Sequence, residues 1–194
     1  MSILSDVEIA SLCEVEKDSG SKPMIYPYID SQIKESSSKR ILSYGQSSYG
    51  YDVRLDRQFK IFTNINSGII DPLDFSENAL MEHEGDFCII PPNSYILGIT
   101  LETFVIPRDI MVVCVGKSTL ARCGAIVNTT PIEPGFNGRV VIEISNATTL
   151  PLKIYSGMGV AQFLFYKGNI PCKTSYADKA GKYQNQTGLT LAKV

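Results

Sequence analysis

Gly116-Lys117-Ser118-Thr119, followed by Arg122, sets two cations and two hydroxyls within about two turns of a helix. Beside free backbone N–H groups, that set suits a polyphosphate. A phosphate-wrapping P-loop would need glycine at position 111, where the chain has Met111, so that motif is excluded. On their own these residues also fit a solvated polar turn. Glu143 is the second candidate. From Arg139 to Ser145 the chain alternates, so Val140, Ile142 and Ile144 share one face while Arg139, Val141, Glu143 and Ser145 share the other. Periodicity admits two readings: an amphipathic strand with Glu143 in water, or a cleft in which desolvation raises its pKa and fits it for proton transfer.

Other chemistries are removed by what is missing. There is one histidine, His83, in the polar run Glu82-His83-Glu84-Gly85-Asp86 and expected at the surface; a Ser-His-Asp triad would have to use it. The five cysteines (Cys13, Cys88, Cys114, Cys123, Cys172) are widely spread with no Cys-x-x-Cys pair, against a disulfide framework or a thiolate zinc site. Zinc-dependent nucleobase deaminases need His-x-Glu and Pro-Cys-x-x-Cys. Here His83 precedes Glu84-Gly85 and Pro171-Cys172 precedes Lys173-Thr174-Ser175, so that family is excluded. Lys plus Arg is 18 against 20 Asp plus Glu, a formal charge of −2, which argues against a general nucleic-acid or membrane-surface binder. The longest apolar run, Ile110 to Val115, is far short of the roughly 20 residues of a membrane helix. With no early Lys or Arg in the opening residues, no secretory signal is expected and a cytoplasmic protein is.

Positioning these residues calls for one domain from a chain of 194 residues. Ser5-Asp6-Val7-Glu8 is a capping-box pattern that predicts a helix to about Cys13 with Ile9 and Leu12 inward. The polar runs Lys17 to Lys22 and Ser36 to Arg40 read as surface loops. Beyond Ile41, short apolar or alternating runs predict strands at Tyr51 to Leu55, Phe59 to Phe62, Phe87 to Ile90, Tyr95 to Thr100, Phe104 to Ile106, Met111 to Val115, Arg139 to Ser145, Leu152 to Tyr155 and Val160 to Tyr166. Turn residues such as Asn66-Ser67-Gly68 and Pro91-Pro92-Asn93 punctuate them. Many short strands without long helices indicate an all-β sandwich or barrel, with one local helix at Ser118 to Arg122 capped by Ser118. The polar tail after Tyr176 has the composition of a frayed terminus.

Read together, Ser43-Tyr44-Gly45-Gln46-Ser47-Ser48-Tyr49-Gly50-Tyr51-Asp52-Val53-Arg54, Gly116 to Gly124, Pro131-Ile132-Glu133-Pro134-Gly135-Phe136-Asn137-Gly138, Ile142-Glu143-Ile144-Ser145-Asn146 and Gly181-Lys182-Tyr183-Gln184-Asn185-Gln186 resemble the dCTP deaminases, the metal-independent members of the trimeric dUTPase superfamily. The resemblance runs from about Ile41 to the C-terminus and is fainter before it. It implies a mainly β, distorted jelly-roll in a single domain over 1–194: a helical and loop region to about 40, a β core over about 41–170, and a C-terminal lid over about 171–194. It also implies a homotrimer with active sites where subunits meet, hydrolysis of dCTP to dUTP and ammonia, Mg²⁺ accompanying the triphosphate, no zinc, and dTTP as feedback inhibitor.

In that resemblance Glu143 is the general base and acid, and Ser118 and Arg122 help place the water, base and phosphates. Lys117, Thr119, Leu120, Ala121, Val141 and Ile142 line the nucleotide, which Gln162, Tyr176, Lys182 and Gln186 complete, so the supposed frayed tail becomes a lid. Lys117 stands where many members carry Arg, which keeps the charge without the bidentate fork. Glu133 matches an acidic position near the sugar that is often Asp, and the stretch from Asn128 to Ile132 is about two residues shorter than in some members. The rival readings are a dUTP diphosphatase, an enzyme carrying dCTP through to dUMP, and a non-catalytic nucleotide-binding jelly-roll.

Overall fold

The computed structural model describes residues 1–14, 22–65, 68–128 and 130–193. In chain order the elements are β1 (Ser2–Ile3), α1 (Asp6–Cys13), β2 (Ile25–Tyr26), β3 (Gln32–Ser36), β4 (Lys39–Ser47), β5 (Gly50–Phe62), a 3₁₀ turn (Glu77–Ala79), β6 (Leu80–Glu84) and β7 (Phe87–Ile90). They continue with β8 (Tyr95–Val105), β9 (Ile110–Gly116), α2 (Ser118–Arg122), β10 (Ala125–Val127), β11 (Pro131–Ile132), β12 (Asn137–Asn146), β13 (Leu152–Tyr155) and β14 (Gly159–Lys167).

Twelve of the strands form one sheet in the order β10-β12-β8-β5-β14-β9-β11 with shorter strands on its flanks, and β13 pairs β7 separately. The long strand β5 makes this sheet curl. Residues Tyr51 to Arg54 pair with β14, whereas Leu55 to Ile61 pair with β8, with a register shift between Leu55 and Phe59. One strand thus serves two layers, and its alternate residues Tyr51, Val53 and Leu55 are buried between them. Phe104 of β8 meets Phe163 of β14 across that core, ring centroids 5.0 Å apart. The result is the jelly-roll that the strand pattern and the resemblance anticipate.

The N-terminal helix ends where predicted, and its capping box is formed: the Ser5 N–H donates to the Glu8 carboxylate at 2.9 Å. Ile9 is buried and Leu12 is partly buried against the core. Several boundaries differ from the sequence reading. β5 and β8 are each one strand where two were expected, because a polar interruption in each is absorbed by the partner switch or by a buried ion pair. Ser36 to Arg40 is no open loop but the tight turn of the β3–β4 hairpin, with Ser37 and Ser38 at φ of 49° and 62°. Lys117, rather than Ser118, occupies the cap position of α2, and no side chain caps that helix. Residues 17–21 of the expected loop, and Asn66-Ser67, lie outside the described residues. The tail after β14 is packed onto the barrel instead of frayed.

Candidate active site

Glu143 sits in the middle of β12, opposite Leu97 of β8. The register of that pairing slips between Arg139 and Val141, a bulge that turns the strand locally. The freed Val140 N–H donates to the buried Thr100 hydroxyl at 2.9 Å, which itself donates to the Glu102 carbonyl at 2.7 Å. The N–H that the bulge frees is therefore satisfied, as a buried donor must be. Just beyond it, Val141 and Glu143 line a cavity of about 460 Å³, a volume that suits a small organic ligand.

The walls are largely apolar. Phe62, Phe75, Tyr95 and Leu97 close one side, and Pro131, Ile132 and Phe136 another. Burial among them pushes the Glu143 carboxyl above the ordinary glutamate range, an effect only partly offset by the hydrogen bond from its own backbone N–H. Among the described residues Glu143 belongs to no ion pair. Its charge is felt by its neighbours: with burial as the larger cause, it helps push the Tyr95 phenol and the Cys114 thiol up to about 12.

The C-terminal segment roofs this cavity. The Asn185 N–H donates to the Asn137 carbonyl at 2.7 Å and the Arg139 N–H to the Gln186 carbonyl at 2.8 Å, so the tail is zipped to the start of β12. This approach requires glycine at 138: its φ is +143°, and a Cβ there would lie 2.8 Å from the Gln186 nitrogen. Further back, Asp178 pairs with Arg108 and Lys179 with Glu133, each at 2.6 Å. Tyr176, Tyr183 and Gln186 then line the cavity, together with Thr190, Leu191 and Ala192. Gln186 is 8% exposed and its Nε2 donates to the Arg139 carbonyl at 2.8 Å, yet its Oε1 has no partner. A buried acceptor left unpaired costs about 1–3 kcal/mol, which a donor on a ligand would recover.

The structure thus gathers Glu133, Val141, Glu143, Tyr176 and Gln186 around one cavity. The other candidate residues are elsewhere in the chain. Ile142 points into the core at 1% exposure. Ser118, Thr119, Ala121 and Arg122 are exposed on α2 and Leu120 is buried beneath them. Arg122 donates to the carbonyl of Ser118 at 3.1 Å. β10 follows α2 directly and pairs Ala125 with Asn146, three residues beyond Glu143, which by strand rise is already about 10 Å away. Lys117 is ion-paired to the buried Asp52 and donates to the Ser43 hydroxyl at 3.2 Å. Gln162 donates to the Ser47 hydroxyl at 2.9 Å, and Lys182 is exposed, donating to the Lys193 carbonyl at 3.1 Å. His83 is no part of the cavity lining; its Nε2 lies 2.7 Å from the Phe87 carbonyl.

A model of the dCTP deaminase-like family matches residues 3–168. The chain belongs to that family. A dCTP deaminase of Orientia tsutsugamushi (strain Boryong) is 52% identical over 194 residues, covering 100% of both chains. Another, of Francisella philomiragia subsp. philomiragia, is 57% identical over 179 residues, 92% of this chain and 95% of the relative. Among solved structures, the 2′-deoxycytidine 5′-triphosphate deaminase of Agrobacterium tumefaciens has the same fold, with a TM-score of 0.58 at 18% identity over 86% of this chain and 48% of that one. The present chain therefore spans about half the length of that crystallised protein.

The aromatic walls of this cavity are not legible in the sequence. Phe62, Phe75, Tyr95, Phe136 and Tyr183 come from five separate segments, and only strand register places them together. Tyr95 opens β8, whose partner strand carries Glu143. No helix among the described residues is long and apolar enough to cross a membrane. Nor do three or more His, Cys, Asp or Glu side chains among them converge in a way that could hold a metal ion.

Proposed function

We propose that the chain converts dCTP and water to dUTP and ammonia, with Glu143 carrying the protons. The observation that carries this reading is a carboxyl, raised by burial and free of any ion pair among the described residues, at the wall of a nucleotide-sized cavity in a chain of the dCTP deaminase-like family. Ionised Glu143 takes a proton from water as the hydroxide forms its bond to C4 of the cytosine ring. It gives that proton to the ring nitrogen, takes a second from the new C4 hydroxyl and passes it to the departing amine, so that ammonia leaves as the C4 carbonyl forms. Charge builds in an apolar, roofed site, where fixed dipoles are worth several kcal/mol.

The Gln186 Oε1 is an acceptor for a donor on the nucleotide, and Tyr176 and Glu133 stand at the tail side of the cavity. The exposure of α2 and its distance from Glu143 support an active site shared between subunits of a homotrimer. There Lys117, Ser118, Thr119 and Arg122 of one protomer, with the backbone of Leu120 and Ala121, hold the triphosphate and its Mg²⁺ against Glu143 of the next. Lys182 and Gln162 complete the shell as the tail closes, and dTTP competes for the same site. The enzyme works in the cytoplasm, on the free nucleotide pool.

Product analysis tests the reaction: protein incubated with dCTP and Mg²⁺ should yield equal ammonia and dUTP without pyrophosphate. Pyrophosphate with dUMP would make the enzyme bifunctional, and turnover of dUTP alone would make it a diphosphatase. The shared site is tested by mixing Glu143→Gln with Arg122→Ala protein after mild dissociation. Recovery of part of the activity is expected, and none should return if each protomer works alone.

A further inference from the structure

Tyr95 and Glu143 share a face of the β8–β12 pair. Glu143 is directly opposite Leu97 and Ser145 directly opposite Tyr95, which makes Tyr95 the diagonal neighbour of Glu143. Cα atoms so placed are about 7–8 Å apart, within reach of a phenol and a carboxylate. Both residues line the cavity. The Tyr95 ring is fixed by an edge contact with Phe62, centroids 4.9 Å apart. Its oxygen accepts a hydrogen bond from Asn128 Nδ2 at 3.3 Å. Asn128 is in turn tied to the same strand, its backbone N–H donating to the Glu143 carbonyl at 3.1 Å. A phenol oxygen that accepts from an amide keeps its own O–H free to donate.

We infer that Tyr95 is a positioning residue for Glu143: its hydroxyl, held by Asn128 and not bonded to Glu143 in this structure, donates to the Glu143 carboxylate once the pyrimidine is bound and turns the reactive oxygen toward it. This rests on Glu143 being the base of the reaction. The other titratable or charged groups around Glu143 are Cys114 on β9, Glu133 in the loop after β11, Tyr176 and Tyr183 on the tail, and Arg139 on β12 itself. Glu133 is engaged by Lys179 and Arg139 by Asp56, and a thiol is a weak donor. Tyr95 is left as the strong neutral donor on the sheet wall. Its phenol feels the Glu143 charge, in keeping with their proximity.

Tyr95→Phe keeps the ring and its contact with Phe62 while removing the donor. The expected result is a fall in kcat of about tenfold, with KM within about twofold, from the loss of one charge-assisted hydrogen bond. The carboxylate loses stabilisation as well, so the acid limb of the rate profile moves up by about one pH unit. Asn128→Ala should move both quantities the same way by less, and the double variant should match Tyr95→Phe alone. An unchanged acid limb and kcat in Tyr95→Phe, or a change confined to KM, overturns the inference. Glu143→Gln is the separate control: if it turns over dCTP, the base assignment beneath the inference is what fails.

Discussion

Glu102 and Glu143 are carboxyls on two paired strands, both pushed up by burial, and they have opposite surroundings. Glu102 on β8 has a fully buried side chain and receives the Arg54 backbone N–H at 3.0 Å and its Nε at 2.7 Å. Arg54 also stacks on Tyr44, 4.6 Å from the ring centroid. Glu143 has apolar walls, a cavity and no ion-pair partner among the described residues. Burial makes both groups resist charge; a fixed guanidinium pins one as part of the frame, and its absence leaves the other able to gain and lose a proton.

The comparison breaks most readily at Arg54. Arg54→Met should destabilise the fold by about 3–5 kcal/mol at neutral pH, because Glu102 is then buried without a partner. The loss should shrink as pH falls and Glu102 takes a proton. Replacing both, Arg54→Met with Glu102→Leu, should restore most of it; urea unfolding across pH checks each.

Next comes the roof over Glu143. Gly138→Ala forces the tail off the strand at a cost of about 1–3 kcal/mol, enough to raise KM roughly tenfold. With water admitted, the acid limb of kcat/KM should move down in pH, and hydrogen exchange should rise in residues 176–187 while β8 around Glu102 stays protected.

A third difference lies in the rate profile. Since Glu143 must be ionised to act as base, kcat/KM should fall on the acid side with a midpoint above the ordinary glutamate range, as its raised carboxyl requires. A midpoint in the ordinary range would mean that the site is wet.

The smallest effect is on stability at Glu143 itself. A carboxyl with a raised folded-state pKa binds more protons folded than unfolded, so it costs stability as pH climbs from its ordinary value through the raised one. Glu143→Gln should therefore be as stable as the parent near pH 4 and more stable, by about 1 kcal/mol, at pH 7. This is the reverse of what Arg54→Met does around Glu102.

Legibility in the sequence followed the same divide between local and non-local causes. β12 and β13 could be read closely because their alternation is unbroken and set by one buried face. β5 was read as two strands because Asp56-Arg57-Gln58 interrupts the pattern, and that interruption is where the strand changes partners. β8 was split at Leu101-Glu102-Thr103, since a buried Glu is intelligible only with Arg54 beside it, 48 positions away in sequence. In the site, alternation singles out Glu143 and the resemblance adds its role and Gln186, whereas Phe62 and Tyr95 depend on register, which composition does not carry. The tail has a frayed composition because much of its order comes from backbone bonds beside Gly138 and from the ion pairs of Asp178 and Lys179, with only a few apolar anchors such as Tyr176 and Tyr183.

The proposed role of Glu143 is to move protons, not to hold the nucleotide or the fold. Its most direct test is ammonia release by Glu143→Gln protein at saturating dCTP and Mg²⁺, with nucleotide affinity measured by calorimetry on the same sample. The account predicts a loss of turnover of about a thousandfold or more with dCTP affinity within a few fold of the parent. Turnover near the parent's rate, or lost turnover accompanied by lost binding, would contradict it.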